Sequence, residues 1–293
     1  MRSVEGLRRV ATALSGYGIE DAHKEAELIL SACLGIERVS LYRDNPCLSV
    51  VQQEELKSIL ERRQRREPVQ YVIGHVDFCG LRIEVGRGVL IPRPETELIV
   101  EEVLKAVKHK TADVNYGEGL SRTTHRTSPT ILDLCTGSGC LALALAKHLP
   151  ESEIFATDIS QSALDYAKRN ARINGIRNIT FLKGDLFKAV KGMTFDVIVS
   201  NPPYVRRPDI GILREEIREW EPPEALDGGE DGLIFYRKII SRSRWYLKND
   251  GFVVMELGQG ESEEVVRIAK ESGFSSAFLT KDYAGIERVL SLA

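Results

Sequence analysis

The 293-residue sequence has no CxxC pair, no HExxH or HxxxH spacing, no long apolar run and no marked charge of either sign. Its five cysteines, at 33, 47, 79, 135 and 140, are odd in number and scattered. A chain of this size needs no covalent staples, so reduced thiols in a cytoplasmic setting are expected. The five histidines are equally scattered, and without ligand spacing no metal site is expected. The run LALALA at 141–146 falls far short of the roughly 20 residues that span a bilayer. The N-terminal MRSVEGLRRV lacks the apolar core of a signal peptide, so no membrane association is expected. Lys+Arg at 40 against Asp+Glu at 43 gives no overall attraction to nucleic acid, and DNA is not an expected partner. What remains is an ordinary globular composition, 43% hydrophobic and 28% charged, in a chain longer than one comfortable core. Two domains are therefore expected.

Residues 1–67 read as a small helical bundle. Leu7, Val10 and Leu14, then Ala26, Ile29, Leu30 and Cys33, then Leu56, Ile59 and Leu60 recur at helical spacing, punctuated by Gly16, Gly18, Gly35 and Asn45-Pro46. The basic run RRQRR at 62–66 reads as a solvated helix end whose charges favour the C-terminal dipole. A contact with an acidic protein surface or RNA is the other reading. Residues 68–92 alternate apolar and polar residues with glycines at turns, which predicts a β-hairpin connector. PETELIVEEVLKAVK carries proline and acids in its first turn and lysines at its end, the signature of a helix. The polar stretch 108–130 has no periodicity and reads as a flexible surface loop, with a lid function left open.

From 130 onward strands and helices alternate: TILDL, EIFATD, NITFLKGD, FDVIVS and GFVVMEL are the strand candidates, with SSAFLT and ERVLSLA closing the chain. Such alternation over 93–293 predicts an α/β fold with a mainly parallel, doubly wound sheet and a ligand at the strands' carboxyl ends. Special residues cluster at those ends. In ILDLCTGSGC, Gly137 and Gly139 allow positive φ and let a ligand approach backbone N–H groups, although such turns also serve NAD enzymes or merely turn the chain. Asp158, about twenty residues on, suits the two ribose hydroxyls of an adenosine; alternatively it caps the next helix, a role that Ser160 also suits. Asp185 could take an adenine amino group with Leu186 or Phe187 against the ring, or could sit in a plain surface turn.

The fourth strand end, VSNPPYV at 199–205, is the most informative. A planar amide or aromatic amino group is a poor nucleophile because its lone pair is delocalised. Two acceptors that take both N–H hydrogens can favour a pyramidal nitrogen and aim its lone pair. The Asn201 side-chain oxygen and the Pro202 carbonyl are such a pair, Pro202 and Pro203 fix the backbone, and Tyr204 offers a flat ring. The residues together spell adenosine and a methyl acceptor beside it.

NPPY with an upstream DxxTGSG turn resembles amino-methyltransferases that use S-adenosylmethionine. IPRPETELIVE at 91–101 and EPPEALDGGEDGLIFYRKII at 221–240 extend the resemblance over nearly the whole chain, to the HemK/PrmC family. Those enzymes methylate the side-chain nitrogen (N5) of a glutamine in the Gly-Gly-Gln loop of peptide-chain release factors. The resemblance implies a Rossmann-like S-adenosylmethionine-dependent methyltransferase sheet behind an N-terminal helical-bundle domain, and residues 1–67 are expected to dock the protein substrate. It implies S-adenosylmethionine as cofactor and release factors as partners; a monomer without a metal is expected. By position it assigns Cys135, Thr136, Gly137, Ser138, Gly139, Asp158, Leu186 and Asn201 to the cofactor, and the reading of its strand end adds Asp185. Asn201, Pro202, Pro203 and Tyr204 go to the substrate, with Asn201, Pro202 and Tyr204 catalytic. The family has glycine where this chain has Cys135, and its counterpart of 108–130 is shorter.

Two neighbouring activities compete. A DNA adenine-N6 methyltransferase shares the NPPY logic but needs base flipping and a large target-recognition region, for which this chain has no room. A ribosomal protein glutamine methyltransferase differs in the PRPETE segment, intact here at 92–97. Arg93, Glu95 and Glu97 could line the cleft entrance or stabilise a helix start, and Glu221 with Pro222 could shape its far wall or only a turn.

Overall fold

The structure, a computed structural model, describes residues 1–112 and 128–293. It divides into two compact units, Met1–His75 with Arg214–Trp220 and Val76–Leu213 with Glu221–Ala293. The first is helical: α1 (Ser3–Gly16), α2 (Ala22–Leu34), α3 (Arg38–Arg43), α4 (Val50–Gln64) and α5 (Val69–Ile73). The apolar periodicity forms its core, where Leu7, Val10, Leu14, Ile29, Leu30, Leu56 and Ile59 are buried together. Ser49 and Gln52 form a reciprocal capping box that starts α4, and Gly35 at φ 64° ends α2.

The basic run is not solvated throughout: Gln64 and Arg65 are exposed, but Arg63 is not. Arg63 is fully buried and donates to both carboxylate oxygens of Glu25, at 2.9 and 3.1 Å, and to Glu216 Oε1 at 3.3 Å. Arg62 donates to Glu67 at 2.8 Å, and Arg66 to Glu216 at 3.1 Å. The short helix α9 (Glu215–Arg218) supplies that last acid from a point far along the chain. A buried guanidinium needs compensating carboxylates, and local charge pattern cannot reveal acids so remote in sequence.

In the second unit, β1 (His75–Phe78) and β2 (Leu81–Glu84) form the expected hairpin, turned by Cys79 and Gly80 at positive φ. It is shorter than the 68–92 reading, because 69–73 are the helix α5. Helix α6 (Glu97–Ala112) runs into the stretch read as loop, so 108–112 are helical; the remainder up to 127 lies outside the described residues. Then follow β3 (Thr130–Leu134), α7 (Cys140–His148), β4 (Glu153–Asp158), α8 (Gln161–Ile173), β5 (Ile179–Lys183) and β6 (Phe195–Ser200). The chain closes with α10 (Ile234–Ser243), β7 (Leu247–Glu256), α11 (Ser262–Glu271), β8 (Ala277–Lys281) and β9 (Glu287–Leu292).

The seven strands pair in the order β5-β4-β3-β6-β7-β9-β8. Pairing is parallel from β5 to β7, and β9 runs antiparallel to both β7 and β8. This is the Rossmann-like α/β methyltransferase arrangement. Leu132, Leu134, Ile198, Val253 and Met255 pack with Tyr236, Ile239 and Ile240 in one core. The pleat turns the alternate residues, Asp133 among them, to the opposite face. Register decides the rest. Leu134 pairs with both Thr157 and Ser200, and Ser200 with Met255. One step further along, Asp158, Cys135, Asn201 and Glu256 therefore share a row at the carboxyl edge. Among the described residues, no helix is long and apolar enough to cross a membrane, and all five cysteines are free thiols.

Breaking a buried ion pair leaves an uncompensated charge, so Arg63→Ala should lower stability by about 3–5 kcal/mol. Urea denaturation measures it; a midpoint equal to that of the unaltered protein would contradict the structural role given to Arg63.

Candidate active site

A cavity of about 350 Å³ opens at the carboxyl edge of the sheet, a volume within the range of small-ligand sites. Its wall takes Cys135, Thr136, Gly137 and Ser138 from the turn after β3, and Asp158 with Ile159 and Ser160 from the turn after β4. Asp185 and Leu186 follow β5, Asn201 and Pro203 follow β6, and Thr96 and Pro222 complete the opposite side.

The first turn is built for close approach. Gly137 adopts φ 56°, and a Cβ there would meet nothing within 4 Å, so open space faces its backbone. Gly139 serves packing instead. A Cβ on it would stand 2.9 Å from the Cβ of Ala167, so glycine lets α8 lie against this turn. Cys135 at φ 60° and Leu186 at φ 52° occupy the left-handed region without being glycine, at about 1–2 kcal/mol each. The left-handed backbone is why glycine suits position 135. Here a thiol takes it, with its acidity suppressed by burial and by the neighbouring Asp158 and Asp133 charges.

Asp158 ties two turns together. Its Oδ2 accepts from the Gly137 N–H at 2.9 Å and its Oδ1 from the Ser160 N–H at 2.8 Å. Ser160 itself caps α8 by accepting from Ala163 N at 3.3 Å, which decides the capping question in favour of Ser160. Burial pushes the Asp158 carboxyl up while those N–H donors hold it down. Each oxygen keeps a further lone pair for a ligand hydroxyl. The open backbone at Gly137, the acceptor at Asp158 and the apolar Leu186 and Ile159 fit an adenosine.

Beneath the turn, Asp133 is completely buried and accepts through Oδ2 from Thr136 Oγ1 at 2.6 Å and Ala142 N at 3.2 Å. Desolvation pushes its carboxyl up to about 7.

The NPPY loop is held from two sides. On one, Asn201 Nδ2 donates to Thr96 Oγ1 at 3.2 Å, Thr96 Oγ1 donates to Glu256 Oε2 at 2.6 Å, and the Tyr204 hydroxyl donates to Glu256 Oε1 at 3.0 Å. Glu256 is almost fully buried; burial raises its carboxyl, and the two hydroxyls and Arg288 oppose that. On the other side, Val205 N donates to Leu226 O at 2.9 Å and Gly228 N to Val205 O at 2.8 Å. A Cβ on Gly228 would stand 2.7 Å from Tyr204 Cα, and one on Gly232 2.6 Å from the Tyr204 carbonyl oxygen. The glycines of LDGGEDG let this segment press its backbone against the NPPY loop. Upstream of it, buried Glu221 accepts from Ile91 N at 3.2 Å and pairs with Arg93 at 2.5 Å.

Not every motif residue lines this cavity. Pro202, Tyr204 and Gly139 are outside the cavity wall, as are Arg93, Glu95 and Glu97. Glu97 accepts from the Cys79 N–H at 2.7 Å. Phe187 is buried and stacked on Tyr246 at 4.4 Å between centroids, leaving Leu186 alone at the wall. Sequence reasoning missed Thr96 and Glu256. Glu256 carried a usable signal, an acid at the end of a buried strand, the same criterion that singled out Asp158. Among the described residues, no three of His, Cys, Asp and Glu come together as metal ligands would.

Comparison with known proteins gives concordant matches. A model of the PrmC N-terminal domain matches residues 5–74, and one of the methyltransferase small domain matches 118–215. A release factor glutamine methyltransferase of Thermodesulfovibrio yellowstonii is 45% identical over 292 residues, covering 100% of this chain and 98% of that protein. One from Geobacter sulfurreducens is 41% identical, covering 97% and 95%. Among solved structures, the hMettl16 catalytic domain in complex with a 3′UTR hairpin aligns with a TM-score of 0.52 at 18% identity, over 84% of this chain and 81% of that one. At that identity it supports the fold alone.

Two outcomes follow from these carboxylates. The folded state keeps Asp133 protonated up to about 7, whereas the unfolded chain releases that proton near the ordinary aspartate value. Its contribution to stability is complete below that ordinary value and declines as pH rises, being lost once pH passes about 7. Asp133→Asn should therefore flatten part of the fall in stability between about pH 5 and 7 in cofactor-free protein; an unaltered slope in urea titrations would contradict it. Asp158→Ala removes an acceptor and frees the Gly137 turn. Calorimetry should show S-adenosylmethionine affinity lowered about ten- to a hundredfold, and unchanged affinity would refute the assignment.

Proposed function

Because the chain belongs to the release factor glutamine methyltransferase family, we propose that it transfers a methyl group to the side-chain amide nitrogen (N5) of the glutamine in the Gly-Gly-Gln loop of peptide-chain release factors. When bound, S-adenosylmethionine supplies an electrophilic methyl group on a sulfonium. The protein's part is to hold the two reactants and shape the nitrogen. Thr136, Gly137 and Ser138 present the turn that receives the cofactor, Asp158 accepts its ribose hydroxyls, and Asp185 and Leu186 take the adenine. The observation that carries the reading is Asn201 in the cavity wall at the end of β6, one strand away from Cys135 and its turn.

Asn201 Oδ1 and the Pro202 carbonyl accept the two N–H groups of the substrate amide. The Pro202-Pro203 backbone resists displacement, and the Tyr204 ring is the flat surface against which the amide rests. Held in this way, the amide nitrogen would present its lone pair to the methyl group that bound S-adenosylmethionine supplies, and the N-methylated cation would shed its extra proton to solvent. No strong base is needed: the work is orientation and electrostatic preorganisation. Residues 1–67 serve as the docking domain for the protein substrate. The reading sets a cytoplasmic monomer acting on protein rather than DNA, without a metal.

The test is incubation with labelled S-adenosylmethionine and three acceptors: release factor, ribosomal protein and DNA. Label should appear on the release factor glutamine, located by mass spectrometry, and Asn201→Ala should abolish transfer while cofactor binding persists. Label on either other acceptor, or full turnover by the variant, would overturn the reading.

A further inference from the structure

Asn201 can be an acceptor toward a substrate only if its side-chain amide is held one way round. An asparagine has an oxygen and an NH2 of nearly the same shape, and rotating the amide by half a turn replaces an acceptor by two donors. A substrate NH2 is a donor, so the wrong orientation would set donor against donor at the reacting nitrogen. Something must fix the choice.

We propose that buried Glu256, acting through Thr96, fixes the orientation of the Asn201 amide, so that Thr96 and Glu256 are positioning residues for methyl transfer. The inference rests on the reading of Asn201 as the acceptor of the substrate amide. Its logic is a count of protons. A threonine hydroxyl has one proton to give, and Thr96 gives it to Glu256 Oε2 at 2.6 Å, the short distance of a charge-assisted bond. The other carboxylate oxygen takes the Tyr204 hydroxyl proton at 3.0 Å. An ionised carboxylate only accepts, and two hydroxyls directed at it satisfy it from both sides. Thr96 Oγ1 is then left with lone pairs alone on the side of Asn201, 3.2 Å away. Only Nδ2 can face it; the reversed amide would set two acceptors against each other. Oδ1 is thereby committed to the opposite side, away from Thr96.

The geometry fits a device rather than an incidental contact. Ser200 pairs with Met255 in the parallel ladder, so the next residues on the two strands, Asn201 and Glu256, end side by side. Thr96 comes from a third element, the turn that begins α6, and is itself 1% exposed. A neutral amide in place of the carboxylate would undo the count. The NH2 of a glutamine at 256 can donate to Thr96, whose proton is then free to turn toward Asn201 and let its amide reverse.

The test uses Thr96→Val, Thr96→Ser and Glu256→Gln in the full-length protein. At saturating release factor, Thr96→Val and Glu256→Gln should lower kcat about ten- to a hundredfold, while cofactor affinity by calorimetry and the KM for release factor change little. Thr96→Ser, which keeps the hydroxyl, should restore kcat. A second readout needs neither cofactor nor substrate. The side-chain amide signals of Asn201 in a nitrogen–proton correlation spectrum, identified by their loss in Asn201→Asp, should shift in Thr96→Val and not in Thr96→Ser.

Unchanged kcat in Thr96→Val overturns the proposal, and so do Asn201 signals that do not move, or a serine variant as impaired as the valine one. Should Thr96→Val fail to fold, Glu256→Gln decides by the same criteria, with unaltered kcat and unmoved signals counting against it. A failure of the unaltered protein to methylate release factor would instead defeat the functional reading, which the amide signals do not depend on.

Discussion

Parallel pairing in register is the constraint on which the site depends. Strands β4, β3, β6 and β7 run the same way, and their pairing leaves Asp158, Cys135, Asn201 and Glu256 on one row. Adjacent strands are about 4.8 Å apart, so the row spans about 14 Å from the carboxylate assigned to ribose to the one behind the NPPY loop. A nucleoside and a planar amide can be laid along such a row with the transferred carbon between them. A register slip of one residue on β6 would turn the Asn201 side chain to the other face. Strand register thus does the coarse positioning, and the loops only refine it.

The refinement uses buried carboxylates. Asp133, Asp158, Glu221 and Glu256 each face burial that raises their proton affinity, and each is held by N–H or hydroxyl donors, or by a guanidinium, from another element. Burying a charge costs several kcal/mol unless such donors are in place. These acids therefore act as clamps: Asp158 joins the turns after β3 and β4, Glu221 fixes Ile91 and Arg93, and Glu256 joins Thr96 to Tyr204. A loop clamped from several sides reorganises little during reaction, as catalysis by orientation requires. Tyr204 is included in this. Its hydroxyl is committed to Glu256, so the same clamp anchors the loop from within the NPPY segment.

Much of this was legible in the sequence wherever the signal is local. The alternation of strands and helices, the glycine turn at 137–139, the acid at 158 and the NPPY segment each declare themselves within a few residues, because turn conformation and strand period are set by near neighbours. What stayed hidden depends on contacts between distant positions. Arg63 reads as one of several solvated arginines until Glu25 and Glu216 are brought to it. Phe187 and Leu186 are equivalent on paper, and only packing sends the first against Tyr246. Thr96 and Glu256 lie far apart in sequence, and no motif announces that one hydroxyl proton links them. The glycines at 228 and 232 were part of a family motif, yet their reason is the backbone of a loop more than twenty residues earlier.

The central claim is that a nucleoside and Asn201 meet on one row of strand ends. A crystal structure of the protein with S-adenosylhomocysteine tests it most directly. The account predicts the ribose hydroxyls on Asp158, the adenine beside Leu186, and the sulfur directed toward Asn201. A nucleoside bound elsewhere, or a sulfur turned away from the 201–204 segment, would contradict it.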